Sequence, residues 1–410
     1  MAGVKVTPFT TRSVLIIPPV VSKPYTFEAG IWTEVENYND LNYILSNDHC
    51  IFIEDPPLGN QCVVCDCEKD STFVRIDDAL TKCEYREEYQ RGEVYCFPPH
   101  MYRLVTKRED FIPVSLVRSL QQKPDARILI TRGLGLGDIL LSLPAVRTLK
   151  EQFPEVEIWY RCQEEYKRIF WNNPFVTRTV NLGEAYDHAP FDLLLDWQYA
   201  VESHPKQAEV LRTDLFADIM GLKTVSSYDM PLEVKPEERE KILGMLPEQK
   251  GPLVAIHTEG ANFRRMISAG KVWKIMRALV KQRLTPMCLH HTHNAHWDME
   301  GAVNLTGKTH PIGCLFAAID IADVVLCGDS GPTHVANALG KPTVALYGHV
   351  DAKLRVKDQP NCVVIQGNKY AKCPPCNDHE FRQCNPPAQC VEKIPNELIV
   401  DTIVGLAGQL

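Results

Sequence analysis

Residues Ala322 to His349 read ADVVLCGDSGPTHVANALGKPTVALYGH, and few folds accept such a stretch. Asp323 to Gly328 is an apolar, β-branched run. A polar turn, Asp329-Ser330-Gly331, follows, then a small-residue segment to about Leu339, and Gly340-Lys341 turns into a second apolar run. The pattern predicts one βαβ unit. Pro332 suits a first helical turn, where its missing N–H loses nothing, and Gly340 suits the position just past the helix end. The helix start therefore points out of the carboxyl ends of the strands with unpaired N–H groups and the positive end of its dipole. Ser330, Gly331, Thr333 and His334 cluster there. Such a terminus is suited to phosphate.

A second strand, glycine turn and helix are expected from Ala126 onward. Arg127 to Thr131 is apolar, Gly133 to Asp138 reads GLGLGD, and Ile139, Leu140, Leu143, Val146 and Leu149 recur at helical spacing. Pro144 removes an N–H and crowds the carbonyl of Leu140, which predicts a kink or a late helix start. The glycines run G-x-G-x-G with an acid after them, not G-x-G-x-x-G, and an acid at a helix start repels pyrophosphate. Asp138 reads either as the cap of its helix or as a group that meets substrate.

The tract from Asp329 to Pro342 and the tract RILITRGLGLGDILLSLPAVRTLKEQFP resemble glycosyltransferase family nine, the ADP-heptose heptosyltransferases. Asn304 to Thr309, NLTGKT, resembles the same family, and the likeness covers about residues 126 to 395. The resemblance implies an α/β protein of GT-B architecture, two doubly wound Rossmann-like domains facing a cleft, here preceded by a small β-rich N-terminal domain. It implies an inverting glycosyltransferase that moves a heptose-like sugar from an ADP-sugar to a hydroxyl on a carbohydrate or protein acceptor, with no cofactor in catalysis. Asp138 falls on the family's acceptor-side acid, with Gly135 and Gly137 in its loop. Donor contacts fall on Thr306, Gly307, Lys308, Asp329, Ser330, Gly331, Pro332, Thr333 and His334. A cation for the diphosphate falls on Arg264 or Arg265, although Met266-Ile267-Ser268 departs from the family's aromatic-Pro pair. Two other functions fit the same residues: a same-fold transferase acting on a protein or a modified nucleic acid base, and a sugar-nucleotide-binding protein without turnover.

The organisation expected along the chain is a β-rich accessory domain over 1–124, an acceptor-side Rossmann-like domain over 125–235, a nucleotide-sugar domain over 251–394, and a C-terminal helix over 395–410 that crosses back onto the first half. Residues 232–251 read as a charged surface helix leading into the hinge. A formal net charge of -8 gives no global basic field, which disfavours nucleic acid as a partner. No run approaches the roughly 20 apolar residues of a spanning helix, and the first residues lack a secretion pattern. A cytoplasmic protein is expected, with peripheral membrane contact and homo-oligomer formation left open.

Fifteen cysteines without a secretion signal argue against a complete disulfide framework. Cys62, Cys65 and Cys67 alternate and suit a β core as readily as a metal. Cys373, Cys376, Cys384 and Cys390 are spaced C-x2-C-x7-C-x5-C among prolines and polar residues, so no apolar face explains them. Four thiolates on so short a loop suit a closed tetrahedral zinc or iron site with a structural role. The cluster His290, His291, His293 and His296 lacks the helical pair-plus-Glu pattern of a zinc site and reads as a polar loop.

Overall fold

The structure is a computed structural model. It describes residues 116–409 apart from 134, 184–190, 198–199, 202–205, 249–250, 261–264, 374–375 and 377–388, and of the first 115 residues only strand segments. The chain divides into two units, Met1–Ser115 and Leu116–Leu410. In the first unit the described strands pair antiparallel: Thr33–Val35, Val4–Pro8 and Ile51–Ile53 form one sheet, and Phe111–Val114, Cys62–Cys65 and Val94–Cys96 another. Val14–Ile16 pairs with Tyr25–Phe27, and Ser71–Asp78 with Cys83–Gln90. The side chains of Cys62, Cys65 and Cys67 lie outside the described residues.

The second unit holds two parallel sheets, each wound with helices. In the first lobe β1 (Arg127–Thr131), β2 (Glu157–Cys162), β3 (Arg178–Asn181) and β4 (Leu193–Asp196) stand in the order β3-β2-β1-β4. Helix α1 (Leu136–Gln152) follows β1 and α2 (Arg212–Met220) lies after β4. Helix α3 (Pro236–Leu243) leads to the second lobe. There β5 (Leu253–His257), β6 (Thr285–Leu289), β7 (Val303–Asn304), β8 (Val324–Gly328), β9 (Thr343–Tyr347) and β10 (Cys362–Gln366) take the order β7-β6-β5-β8-β9-β10. Helices α4 (Ala269–Lys281), α5 (Gly313–Ile321), α6 (Gly331–Ala338) and α7 (Asn396–Ala407) cover that sheet. Every residue of β8 and β9 is buried, the mark of a parallel sheet covered on both faces.

The elements follow from local chemistry. Ser268 caps α4 by accepting from the Lys271 N–H, and Val272, Ile275, Met276 and Leu279 bury one helical stripe against Val254, Ile256 and Val324. Three expectations need correction. Helix α1 starts at Leu136 and runs on through Pro144, so of the kink and the late start expected there the late start does not occur; Asp138 thereby sits in its first turn. The helix expected over 232–251 is confined to Pro236–Leu243, since Gly244 ends it. Its Glu238 is no surface charge: Arg168 of the first lobe reaches it with two nitrogens, Nε at 2.7 Å and Nη2 at 2.5 Å.

The last helix, α7, packs on the second lobe and not the first. Ile399, Val400 and Ile403 join the core formed by α4 and β8, and the Lys271 ammonium, itself buried, donates to Ile394 O and Asn396 Oδ1 at the start of α7. A matching apolar stripe and the Lys271 ammonium on the same lobe decide the docking. No helix among the described residues is long and apolar enough to cross a membrane.

Candidate active site

In a doubly wound sheet ligands gather beyond the carboxyl ends of the strands where the order reverses. The first lobe reverses between β1 and β4, and the second between β5 and β8. The GLGLGD loop leaves β1 at the first point, and the Asp329 turn leaves β8 at the second. The two helices that follow these loops, α1 and α6, pack on one another.

Glycine makes that approach possible. Gly135 caps α1 with φ 87, a left-handed conformation that favours glycine, and a Cβ there would lie 2.9 Å from Asp138 Oδ2. A Cβ on Gly137 would lie 2.7 Å from His334 Cδ2, and one on Gly331 would lie 2.9 Å from Leu136 Cδ2. The glycines spaced two apart therefore admit a carboxylate on their own lobe and an imidazole from the opposite one.

Asp138 is not a helix cap: no side chain caps α1, and its carboxylate turns to two guanidinium groups. Arg132 Nη2 donates to Oδ2 at 2.6 Å, and Arg212 Nε stands 2.6 Å from Oδ1. The arginine side chains are only 5% and 8% exposed, while Asp138 keeps 21%. Burial alone would raise the carboxyl pKa. Arg212, Arg132 and, behind them, Arg355 outweigh it and hold the group well below the usual carboxylate range.

Across from it, Asp329 at the end of β8 pairs with Arg265, Nε to Oδ2 at 3.3 Å. Gly260 and Gly328 leave the room Arg265 occupies, since a Cβ on either would come within 3 Å of it: 2.6 Å from its Cβ and 2.8 Å from its carbonyl oxygen, respectively. Ser330 is the extended cap residue of α6, and Pro332 lies in the first turn. Thr333 is buried and donates to Gly328 O at 2.6 Å, so its hydroxyl ties helix to strand. His334 is buried with Nδ1 lacking a hydrogen-bond partner. Desolvation brings its pKa down to about 4 against the pull of Asp329 and Asp138, so the ring is neutral near pH 7.

The structure thus gathers Asp138, Gly135, Gly137, Asp329, Ser330, Gly331, Pro332, Thr333, His334 and Arg265 at one place. Arg264 lies outside the described residues. Thr306, Gly307 and Lys308 stand apart, beyond the edge strand β7, and their bonds are internal: Thr306 Oγ1 accepts from Asn294 N at 2.9 Å and donates to Asn304 Oδ1 at 2.6 Å, and Lys308 Nζ donates to Asn304 O at 3.2 Å. They brace the histidine loop. His290 there lies 2.9 Å from Glu259 Oε1 through Nδ1 and bonds Thr258 through Nε2, while His291, His293 and His296 are exposed.

Three residues missed in the sequence complete the cluster: Arg132, Arg212 and Arg355. Arg355, in the short helix Lys353–Val356 that packs on α2, is buried and acts electrostatically on both Asp138 and His334. Arg132 stands inside the quoted glycine tract and was open to notice. Nothing in the local sequence marks the other two.

Near the chain end Cys376 N donates to His349 O at 2.6 Å, Cys373 N to Asn368 O at 3.1 Å, and a Cβ on Gly367 would lie 2.4 Å from Cys390 O. Three cysteines are thus anchored about one turn after β10. Cys384 lies outside the described residues, and among the described residues no three His, Cys, Asp or Glu side chains form a metal-ligand group. The donor set, four thiols, suits zinc or iron only with Cys384 included.

Residues 288–379 match the profile of glycosyltransferase family 9 (heptosyltransferase), which includes the Asp329 to His334 turn. No curated protein sequence matches the chain. Among solved structures, the family 9 glycosyl transferase from Veillonella parvula is 16% identical, with a TM-score of 0.56 over 70% of this chain and 98% of its own. The ADP-heptose lps heptosyltransferase II of E. coli is 15% identical, with a TM-score of 0.56 over 69% of this chain and 99% of its own. TibC from enterotoxigenic E. coli, described as an iron-containing dodecameric glycosyltransferase, is 14% identical, with a TM-score of 0.56 over 87% of this chain and 100% of its own. These likenesses establish an α/β fold of parallel sheets shared with GT-B glycosyltransferases.

Proposed function

We propose that this chain, whose residues 288–379 match the profile of glycosyltransferase family 9, carries out an inverting transfer of a heptose-like sugar from an ADP-sugar to a hydroxyl acceptor. The observation that carries the reading is the charge gathered where the starts of α1 and α6 meet. Four guanidinium groups, Arg132, Arg212, Arg265 and Arg355, meet two carboxylates, Asp138 and Asp329, beside a neutral His334 and the start of α6. An excess of two positive charges at a helix N-terminus matches a nucleoside diphosphate, whose charge rises as the sugar leaves. Cations and helix dipole can then stabilise the leaving group.

In this reading Arg265, Arg355 and the α6 amides at Gly331 to His334 bind the diphosphate. Asp138, on the opposite lobe, receives the acceptor hydroxyl on the face away from the departing phosphate, which is the geometry of inversion. The TibC structure is described in complex with ADP-D-beta-D-heptose, which supports an ADP-heptose donor. TibC is described as dodecameric, which supports self-association for this chain. Cys373, Cys376, Cys384 and Cys390 would hold a structural zinc or iron outside the crevice, so the metal takes no part in the transfer. A carbohydrate or protein acceptor, met in the cytoplasm, completes the proposal.

The test is purified chain incubated with ADP-heptose and candidate acceptors. Steady ADP release that Asp138→Asn abolishes supports the enzyme. Tight ADP-heptose binding with no ADP release instead indicates a sugar-nucleotide-binding protein, and release only with a protein or nucleic acid acceptor indicates the same-fold alternative.

A further inference from the structure

We infer that Arg132 and Arg212 are positioning residues that keep Asp138 a standing anion aimed at the acceptor hydroxyl, so that the hydroxyl yields its proton only as its oxygen closes on the sugar. The inference rests on the transferase reading above. Two guanidinium groups grip opposite oxygens of one carboxylate, each at 2.6 Å. Arg132 is itself fixed, its Nη1 donating to Trp197 O at 2.7 Å beneath a fully buried indole. Arg212 lies in the first turn of α2, which packs along α1. Of the three side chains only Asp138 has appreciable exposure, so the part of the trio that a ligand can reach is the carboxylate.

A carboxylate offers about four lone-pair positions. Arg132 takes one of them by a hydrogen bond to Oδ2, and the Arg212 guanidinium stands against Oδ1, so the carboxylate is held between two cations. Two buried cations also strip the group of basicity, which is the opposite of a general base tuned near its working pH. Asp138 therefore orients the hydroxyl first and takes its proton only late, once the acceptor oxygen has become acidic by closing on the sugar. In the transfer the bond from the acceptor oxygen to the anomeric carbon forms while the bond from that carbon to the distal phosphate oxygen breaks, its electron pair leaving on the diphosphate. The acceptor proton passes to an Asp138 oxygen and then to water, quickly, because a carboxylic acid between two guanidinium groups is a strong acid.

The experiment follows ADP release from ADP-heptose, with water as fallback acceptor, from about pH 5 to 9 in wild type, Arg212→Met and Arg212→Lys. ADP dissociation constants and thermal melts accompany each protein. Wild type is expected to show no acid limb in this range. Arg212→Met is expected to lose roughly 10²-fold in kcat and to bring an acid limb into view, at least about one pH unit higher, with a loss of ADP affinity well short of the loss in kcat. Arg212→Lys is expected to recover at least about tenfold and to return the limb toward wild type. An unchanged pH profile in the Met variant, or a wild-type acid limb above about pH 5, overturns the inference and leaves the transferase reading standing. No ADP release by wild type with any acceptor overturns both.

Discussion

Gly137 on one lobe and His334 on the other stand so close that a methyl group at residue 137 would fall 2.7 Å from the His334 Cδ2. This contact joins the starts of α1 and α6, and so sets the distance between the Asp138 carboxylate and the amides at the start of α6. Gly137→Ala is expected to separate the lobes or displace a buried ring. The cost in stability is about 1–3 kcal/mol, and ADP release falls at least about tenfold. Chemical denaturation and ADP release measured on the same preparation check it; full activity in the alanine variant would show that the contact does not set the working geometry.

Asp138→Asn is expected to separate stability from binding. The substitution leaves the buried Arg132 and Arg212 without their counter-charge, a loss of roughly 3 kcal/mol, with ADP release down by about 10²–10⁴. ADP affinity should hold or rise, because an anion has been removed from the crevice. Urea midpoints and ADP titration decide between this and a merely structural aspartate, for which stability alone would change.

Arg265 faces Asp329 beside the α6 start, so its loss should be felt through phosphate. Arg265→Met is expected to weaken ADP by about 10- to 100-fold and adenosine hardly at all, with Arg265→Lys between. Equal weakening of ADP and adenosine would place Arg265 away from the diphosphate.

One buried imidazole, His334, and one half-buried, His257, govern the acid side. Desolvation lowers His334 and His257 to about 4 from the ordinary 6.5. Because the folded values lie below the unfolded ones, the unfolded chain binds more protons between them. The stability conferred by the neutral rings is therefore complete above about pH 6.5 and falls away as pH drops toward 4, by up to roughly 3 kcal/mol for each. Urea midpoints at stepped pH values check the slope, which should be about half as steep in His257→Asn. A flat profile from pH 7 to 5 would contradict the desolvation of both rings.

The cysteine loop is expected to carry close to one zinc or iron per chain, by elemental analysis of protein purified without chelator. Cys376→Ser and Cys390→Ser should each lower that content and the melting temperature while leaving the crevice charges in place. Metal-free protein with the same melting temperature would assign the thiols to packing.

The sequence by itself determined the local pieces: the βαβ unit over Ala322–His349, the glycine turn into α1, and the identity of Asp138 and the Asp329 to His334 turn. Each is legible because strand period, glycine spacing and helix-end chemistry act within a few residues. Local spacing does not say where Asp138 directs its carboxylate, which Arg132 and Arg212 hold between them. Arg212 and Arg355 reach the crevice from α2 and from the turn after β9, and α7 chose its lobe through Ile399, Ile403 and Lys271. Those choices belong to the tertiary structure, because burial and ion pairing depend on which distant segments the two sheets bring together.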